Sequence, residues 1–266
     1  MASLLDVSTA RPAGDQYELL VPEGWRQGRG AYGGLTIGAL VRAIEHRIAD
    51  PARKVRTVTA ELPAAVMPGA AAISVEVLRS GNSLSAVRAA LVQGGETRAH
   101  AVAVLAASRP GASALAWRDL QPPEAPPWRQ VEPMPMVNPS AWPEFAQHFE
   151  FRVIAGLPLT GAAPRTVGWV RPRVRCEPRD AGYIASLCDA WWPAALARFT
   201  QLRPIATIAY TLELVDGLEG LDPEAPLLYR GTVPVLSDGY FLETRELWGE
   251  DGRLVAINHQ TFAVIA

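Results

Sequence analysis

The sequence of 266 residues is 49% hydrophobic and has a formal net charge of −2, which suits a large core or two fused small domains. Lysine and arginine are spread thinly, so the composition excludes the basic surface that nucleic-acid binding requires. The N-terminus lacks the features of a signal peptide and no apolar run is long enough to span a membrane, so we expect a cytoplasmic protein.

The first third of the chain predicts one strand, one helix and then four antiparallel strands. The helix, Leu35–Ile48, is mostly apolar and contains small residues that allow close packing. Alternating apolar residues and β-branched content indicate the strands, and turn residues separate them. The predicted strands are Tyr17–Val21, Val55–Leu62, Ala72–Leu78, Leu84–Gln93 and Thr97–Ala107.

A glycine-rich stretch precedes this helix, and Gly28, Gly30 and Gly33 match the G-x-G-x-x-G pattern of dinucleotide-binding proteins. We reject a dinucleotide site because no buried strand runs into the first glycine, and because Asp50 comes before the second strand starts. Free N–H groups at a helix start attract an oxyanion or a carbonyl oxygen. The alternative is a tight turn that lets the helix lie close to the sheet.

The segment after the fifth strand is rich in proline and has little periodicity, which predicts a linker. We expect it to pack over the outside of the protein, because Trp117, Trp128 and Trp142 need cover. The predicted division is an N-terminal unit at 1–110, the linker at 111–147 and a C-terminal unit at 148–266.

The C-terminal unit repeats the strand pattern around a second apolar helix, predicted over Ile184–Phe199. Asp189 lies at the flank of its apolar stripe, where a charged carboxylate is costly without partners. Pro193 should kink or loosen the helix one turn later. The predicted strands are Phe149–Val153, Val167–Arg171 with Val174, Pro204–Leu214, Leu227–Val233, Tyr240–Trp248 and Leu254–Ile265.

The two ends of the chain match each other as an internal repeat. Arg88 and Arg245 stand at the same distance before the glycine of the following turn, and this register sets Gln260 opposite Ala103. The first helix has no acid that corresponds to Asp189. Polar groups confined to one half are expected of a site in that half, and they are also what sequence drift produces.

Six short motifs occur in a fixed order along the chain. They are Tyr32–Gly34, Met67–Gly69 and Glu76–Ser83 in the N-terminal half, and Asp189 with Pro193, Ile205–Ile208 and Asp251–Gln260 in the C-terminal half. In this order and spacing, the motifs resemble the acyl-CoA thioesterase II-like family. The resemblance implies an α+β double hotdog, in which two units, each an antiparallel sheet with a central helix, are fused in one chain.

The family uses an Asp, a Thr or Ser, and a Gln to hold a hydrolytic water, and Asp189, Thr207 and Gln260 match these positions. The resemblance therefore implies hydrolysis of an acyl thioester, with Asp189 as general base or as nucleophile. Thr207 also suits an ordinary strand position, whereas an amide such as that of Gln260 in an apolar strand needs hydrogen-bond partners.

We predict that the substrate, an acyl-CoA or an acyl-carrier thioester, is bound by glycines at the start of the first helix and by an apolar tunnel. The predicted binding residues are Gly33, Gly34, Trp191, Trp192 and Tyr210. The sequence departs from the family pattern in the N-terminal half, where Leu35 replaces the usual Gln, Leu62 or a neighbour the usual His and Met67 the usual Arg.

We predict no metal and no other cofactor, because the four histidines lack ligand spacing. The chain also lacks the G-x-S-x-G motif of serine hydrolases. Two other functions stay open: an acyl-binding or scaffold protein without turnover, which Leu35 and Leu62 motivate, and a hotdog dehydratase, which usually needs a helix-borne histidine. We expect a homo-oligomer, because the edge strands of such proteins commonly pair.

Overall fold

The computed structural model describes residues 2–135 and 142–265. Within them, twelve strands form one antiparallel sheet and two short strands, β3 and β4, form a separate ribbon. The strands in chain order are β1 (Arg11–Ala13), β2 (Gln16–Val21), β3 (Arg26–Gln27), β4 (Gly30–Ala31), β5 (Arg53–Glu61), β6 (Gly69–Ser80), β7 (Leu84–Gln93), β8 (Glu96–Ala107), β9 (Phe149–Ala155), β10 (Arg165–Pro172), β11 (Ile205–Leu214), β12 (Leu227–Ser237), β13 (Tyr240–Trp248) and β14 (Leu254–Val264).

The two halves of the sheet have the same arrangement: read outward from the centre, equivalent strands of each half follow in the same order. The order is β1-β2-β6-β7-β8-β5-β11-β14-β13-β12-β10-β9, and β5 pairs with β11 where the two halves meet. Each half therefore contributes one four-stranded core, β6-β7-β8-β5 or β11-β14-β13-β12. This arrangement confirms the predicted pair of sheet-plus-helix units.

Two long helices lie between the halves, one from each. The α-helices are α1 (Leu4–Val7), α2 (Gly33–Ile48), α3 (Ala181–Ala190) and α4 (Ala195–Arg198), and short 3-10 helices cover Pro110–Leu115, Trp128–Gln130 and Glu144–His148. Most of α2 and nearly all of α3 are buried, because the sheet surrounds both helices. This burial explains why both segments are apolar around most of their circumference.

Helices α2 and α3 run antiparallel and approach closely at small residues. A Cβ on Gly38 would lie 3.0 Å from the carbonyl oxygen of Gly182, so neither glycine leaves room for a side chain. The Ser186 hydroxyl donates to the Gly34 carbonyl at 2.7 Å at one end of the contact. At the other end, the guanidinium of Arg42 forms two hydrogen bonds with the carboxylate of Asp180, at 2.8 and 2.9 Å.

The prediction of one helix over Ile184–Phe199 is wrong, because α3 ends at Ala190 and the short α4 begins at Ala195. Trp191 is extended (φ −79°, ψ 148°). Pro193 has no N–H to continue the helix, and it disfavours helical geometry in the residue before it. The chain therefore leaves the helix after Ala190, one residue past Asp189, rather than kinking within it.

The predicted equivalence of Arg88 and Arg245 is also wrong, by one residue. The side chain of Arg88 is 57% exposed, whereas that of Arg245 is 1% exposed. The pair Gln93–Glu96 encloses a two-residue turn between β7 and β8, whereas Trp248–Leu254 encloses a longer loop, 249–253. Counted between equivalent pairs, the chain from Glu243 to Gln260 is one residue longer than the chain from Val87 to Ala103, so Arg88 and Arg245 face opposite sides of the sheet.

The proline-rich segment packs on the C-terminal half only in part. Trp128 is 9% exposed and packs with Trp169 and Trp248, whereas Trp117 is 82% exposed, so the expectation of cover for Trp117 is wrong. Pro139 and the other residues of 136–141 lie outside the described residues. The unit boundaries at 110 and 147 stay predictions. In the described part of the chain, no helix has the length and apolarity needed to cross a membrane.

Candidate active site

Asp189 lies in the last turn of α3, at the junction of the two halves, and is 5% exposed. Its carboxylate accepts a hydrogen bond from the Gln260 side-chain amide, Nε2 to Oδ1, at 3.1 Å. The backbone N–H of Gly34, at the start of α2, is near enough to the Asp189 carboxylate to lower its pKa. The N-terminal half therefore contributes to the surroundings of Asp189, although the acid itself belongs to the C-terminal half.

Gln260 connects Asp189 with Thr207 in one line of hydrogen bonds. The Thr207 hydroxyl donates to Oε1 of Gln260 at 3.4 Å, and Nε2 of Gln260 donates to both Asp189 and Asn258, the latter at 2.9 Å. Asn258 is itself fixed by a 2.7 Å bond from its Nδ2 to the Thr211 carbonyl. These contacts leave one orientation of the Gln260 amide, with its NH2 group directed to the carboxylate.

The protein perturbs the acidity of Asp189 in two opposing ways. Burial raises the pKa of Asp189, because the charged form loses its hydration. The charge of Arg245, the hydrogen bond from Gln260 and the nearby backbone N–H of Gly34 lower the pKa again, but burial is the larger effect. A carboxylate with a raised pKa is a stronger base than an ordinary aspartate, which suits proton transfer from water.

A buried ion network supports Asp189 from β13, and sequence reasoning missed it. Nη1 of Arg245 lies 3.5 Å from Oδ1 of Asp189 and donates to the Cys188 carbonyl at 2.9 Å. Nε of Arg245 donates to Glu243 at 2.9 Å. Glu243 in turn accepts hydrogen bonds from the Tyr229 hydroxyl at 3.1 Å and from the backbone N–H of Ala194 at 2.8 Å. Both charged side chains are at most 1% exposed.

The corresponding strands of the N-terminal half, β7 and β8, carry no such buried charged groups. Buried cross-strand pairs next to the central strand are apolar in the N-terminal half and polar in the C-terminal half. They are Val87–Ala103 and Ala89–Ala101 in the former and Glu243–Gln260 and Arg245–Asn258 in the latter. When the two halves are aligned, Gln260 thus corresponds to Ala103, as the internal repeat predicts. The fold itself does not need the polar pairs.

Gly33 and Gly34, the first two residues of α2, lie against Asp189 and α3, and their contact with a substrate stays a prediction. A Cβ on Gly33 would lie 2.7 Å from Oδ2 of Asp189, and one on Gly34 would lie 2.7 Å from the Ser186 carbonyl oxygen. Tyr32, which precedes them, is fully buried and its hydroxyl donates to the same Ser186 carbonyl. Both glycines are therefore needed for the close approach of α2 to the acid.

The three predicted tunnel residues occupy different environments. Trp191 is 1% exposed and stacks on Tyr229 with ring centroids 5.0 Å apart. Tyr210 is fully buried beside Gln260 on the neighbouring strand, and its hydroxyl donates to the Ala185 carbonyl at 2.9 Å. Trp192 is half-buried and its indole N–H donates to the Gly156 carbonyl at 3.0 Å. Their contact with an acyl chain stays a prediction.

The residues that depart from the family pattern differ in their position relative to Asp189. Leu35 is fully buried in the core. Leu62 is half-buried, and its Cδ1 would be 3.3 Å from a Cβ on Gly33, so it lies beside the glycine turn. Gly33, Leu62 and Thr207 are partly exposed, whereas Asp189 is buried. Within the described ranges, no three histidine, cysteine or acidic residues are arranged to hold a metal ion.

Two sequence families match the chain, one in each half. The acyl-CoA thioesterase N-terminal domain matches residues 21–107, and the acyl-CoA thioesterase C-terminal domain matches residues 118–264. The second match alone covers more than half of the chain. No curated protein matches the sequence significantly.

Solved structures share the fold over the whole chain. A hotdog-fold protein of unknown function from Alicyclobacillus acidocaldarius is 23% identical, with a TM-score of 0.87 and coverage of 100% of this chain and 99% of that chain. A putative thioesterase II from Thermobifida fusca YX is 20% identical, with a TM-score of 0.82 and coverage of 100% and 98%. An acyl-CoA thioesterase II, TesB2, from Mycobacterium marinum is 19% identical, with a TM-score of 0.77 and coverage of 99% and 98%. The predicted double hotdog fold is thus confirmed.

Proposed function

Since the chain belongs to the acyl-CoA thioesterase family, we propose that it hydrolyses an acyl thioester to a free acid and a thiol. The observation that carries the proposal is the line of contacts from the partly exposed Thr207 through the buried Gln260 to the buried Asp189, in a part of the fold that is apolar in the other half. Buried polar groups cost free energy, and the fold does not require them here. A catalytic role explains why they are present.

The thioester carbonyl would lie at the start of α2, between the glycine turn and Thr207. The N-terminus of a helix carries unpaired N–H groups and a partial positive charge, which favour a developing oxyanion. Gly33, without a side chain, leaves the approach to Oδ2 of Asp189 free of a Cβ. Thr207 and Gln260 would hold the attacking water on the opposite side.

The reaction would proceed by addition and elimination. In the general-base route, Asp189 takes a proton from the water as its oxygen bonds to the carbonyl carbon, and the carbonyl electrons move onto oxygen. Collapse of this intermediate breaks the carbon–sulfur bond, and the thiolate leaves and takes up a proton. In the nucleophilic route, a carboxylate oxygen of Asp189 bonds to the carbonyl carbon, the carbon–sulfur bond breaks and the thiolate leaves and takes up a proton. Water then hydrolyses the mixed anhydride to the free acid and the Asp189 carboxylate.

The proposal includes an acyl-CoA or an acyl-carrier thioester as substrate, without a choice of acyl chain. Assembly into a homo-oligomer and a cytoplasmic location are parts of the proposal that come from the sequence. A non-catalytic acyl-binding protein is the second candidate. The apolar Leu62 beside the glycine turn favours it, because this side chain supplies no polar group to the reacting centre.

Thiol release from a panel of acyl-CoAs, measured for the wild type and for Asp189→Asn, tests the proposal. The variant keeps the size of the side chain and removes its charge, so hydrolysis should fall by roughly 1,000-fold or more. Glu76→Gln, in an exposed ion pair on β6, is the matched control and should keep wild-type rates. Acyl-CoA binding without turnover by the wild type would favour the second candidate, and equal rates for wild type and Asp189→Asn would refute the role of Asp189.

A further inference from the structure

The guanidinium of Arg245 lies at the C-terminal end of α3 and is buried. It donates to the Cys188 carbonyl and to Glu243, and it lies 3.5 Å from the carboxylate of Asp189. A positive charge in this place interacts favourably with the C-terminal end of the helix dipole. Arg245 thus fixes the end of the helix that carries Asp189 as well as the carboxylate itself.

Glu243 keeps Arg245 in this position. Its two carboxylate oxygens accept from Arg245, from the Tyr229 hydroxyl and from the backbone N–H of Ala194, so both are satisfied. Ala194 follows Pro193 in the loop that leaves α3. Glu243 therefore connects the guanidinium with the loop after the catalytic helix, and Arg245 cannot rotate away without leaving a buried carboxylate unpaired.

Folding alone does not account for this ion pair. Burying two charges costs hydration free energy, and a well-packed apolar pair of similar volume is often as stable or more stable. The other half of the protein uses that solution, with Val87 and Ala89 on the corresponding strand. The ion pair is found in the half that contains Asp189, and it lies against Asp189.

We propose that Arg245, held by Glu243, is a positioning residue that keeps Asp189 ionised and directs its Oδ2 toward the glycine turn. The inference rests on the proposed function, in which the ionised Asp189 acts on the thioester or on water. Gln260 and Arg245 both approach Oδ1, whereas Oδ2 faces Gly33. The contacts that Gln260 and Arg245 make with Oδ1 thus leave Oδ2 as the oxygen that faces the substrate.

The charged and titratable groups around Asp189 leave Arg245 as its balancing cation. Burial raises the pKa of Asp189, and Arg245 is the strongest influence that lowers it, while Glu243 raises it. Tyr32, before α2, and Tyr210, on β11, are buried nearby, and burial raises the pKa of both, so they are neutral. Cys188 is also neutral, because burial raises the pKa of its thiol. Removal of Arg245 should therefore raise the pKa of Asp189.

The decisive variant replaces the ion pair with apolar residues, E243V/R245M, which copies the chemistry of the other half and leaves neither Glu243 nor Arg245 as a buried charge without its partner. The carboxyl groups are labelled with carbon-13 aspartate and titrated by NMR, and Asp189→Asn assigns the Asp189 signal. We expect the pKa of Asp189 to rise by about one to three units. The acidic limb of the kcat/KM profile should move by the same amount, with activity recovering at high pH. Arg88→Met, on the exposed face of β7, is the matched control and should leave both unchanged.

An Asp189 titration within about 0.3 units of the wild type would overturn the proposal, since a purely structural pair would not alter that titration. The NMR readout does not depend on turnover, so an inactive wild type would refute the proposed function and still decide the effect of Arg245. Arg245→Lys, which retains the charge, covers a failure of the double variant to fold. It should keep the Asp189 titration near that of the wild type and lower kcat, and an unchanged kcat would overturn the positioning role.

Discussion

Gly33 and Asp189 face each other across the junction of the two halves, with Oδ2 of the acid 2.7 Å from the position that a Cβ on Gly33 would occupy. Gly33→Ala therefore pushes the carboxylate away from its present position. A displacement of about 1 Å can reduce turnover by roughly 100-fold, and we expect a loss of that size in kcat. Thiol release and thermal unfolding of the same preparation measure the effect and the integrity of the fold.

Gly111→Ala is the control for this substitution, because Gly111 is exposed and nothing lies within 4 Å of its would-be Cβ. It should leave kcat unchanged. A Gly33→Ala enzyme with wild-type kcat would show that the carboxylate position is not critical, and it would argue against Oδ2 as the reacting oxygen.

Thr207 should contribute through its hydroxyl rather than through its shape. Thr207→Val retains the branched side chain and removes the donor to Oε1 of Gln260, so we expect kcat to fall by roughly 10-fold, the equivalent of one hydrogen bond. Thr207→Ser retains the hydroxyl and should keep most of the activity. Thr59→Val, at an exposed position of β5, controls for the same change elsewhere. Equal rates for Thr207→Val and wild type would exclude the hydroxyl from the reaction.

Asn258 should act only through Gln260. Asn258→Ala removes the acceptor that orients the Gln260 amide. The amide can then adopt a second orientation, with Oε1 instead of the NH2 group toward Asp189, and we expect kcat to fall for this reason. In a double-mutant cycle, Asn258→Ala should cost little further activity when it is made in a Gln260→Ala background. Additive losses in kcat would instead show an independent role for Asn258.

The strand pattern was sufficient to predict two sheet-plus-helix units, and the resemblance to the thioesterase family selected Gln260 and the glycines that lie beside the acid. Gln260 could be selected because an amide in an apolar strand needs partners. Glu243 and Arg245 could not, because they alternate with Leu242 in a strand whose polar residues are normally expected to face solvent. The structure has the reverse arrangement, with Glu243 and Arg245 buried and Leu242 49% exposed. Only their pairing with each other and with Asp189 makes this burial tolerable.

The end of α3 shows a second limit of sequence reasoning. The apolar spacing continues past Asp189 through Trp191 to Phe199, so periodicity alone predicts an unbroken helix. Pro193 signals an irregularity, but its position does not reveal whether the helix kinks or stops. Glu243, distant in sequence, binds the N–H of Ala194 and stabilises the chain after the stop. Such a contact depends on the tertiary structure and has no local signature.

Glu45, at the opposite end of α2 from the candidate site, should make the stability of the protein depend on pH. Burial and the neighbouring Asp180 raise the pKa of Glu45 to about 7, although Arg42 and Lys54 lower it in part. Between the ordinary pKa of 4.5 and about 7, the folded protein holds a proton that the unfolded chain releases. The free energy of unfolding should therefore decrease as pH rises through this range, by at most about 3 kcal/mol.

Glu45→Gln isolates this contribution, because glutamine stays neutral at every pH. The free energy of unfolding of the variant minus that of the wild type should therefore be larger at pH 8 than at pH 5. Urea unfolding of both proteins at the two pH values measures this change. Glu18→Gln, at an exposed position of β2, should show no such change. If Glu45→Gln and wild type keep a constant stability difference over this range, Glu45 does not titrate with a raised pKa, and the burial of its carboxylate must be offset by Arg42 and Lys54 more fully than we expect.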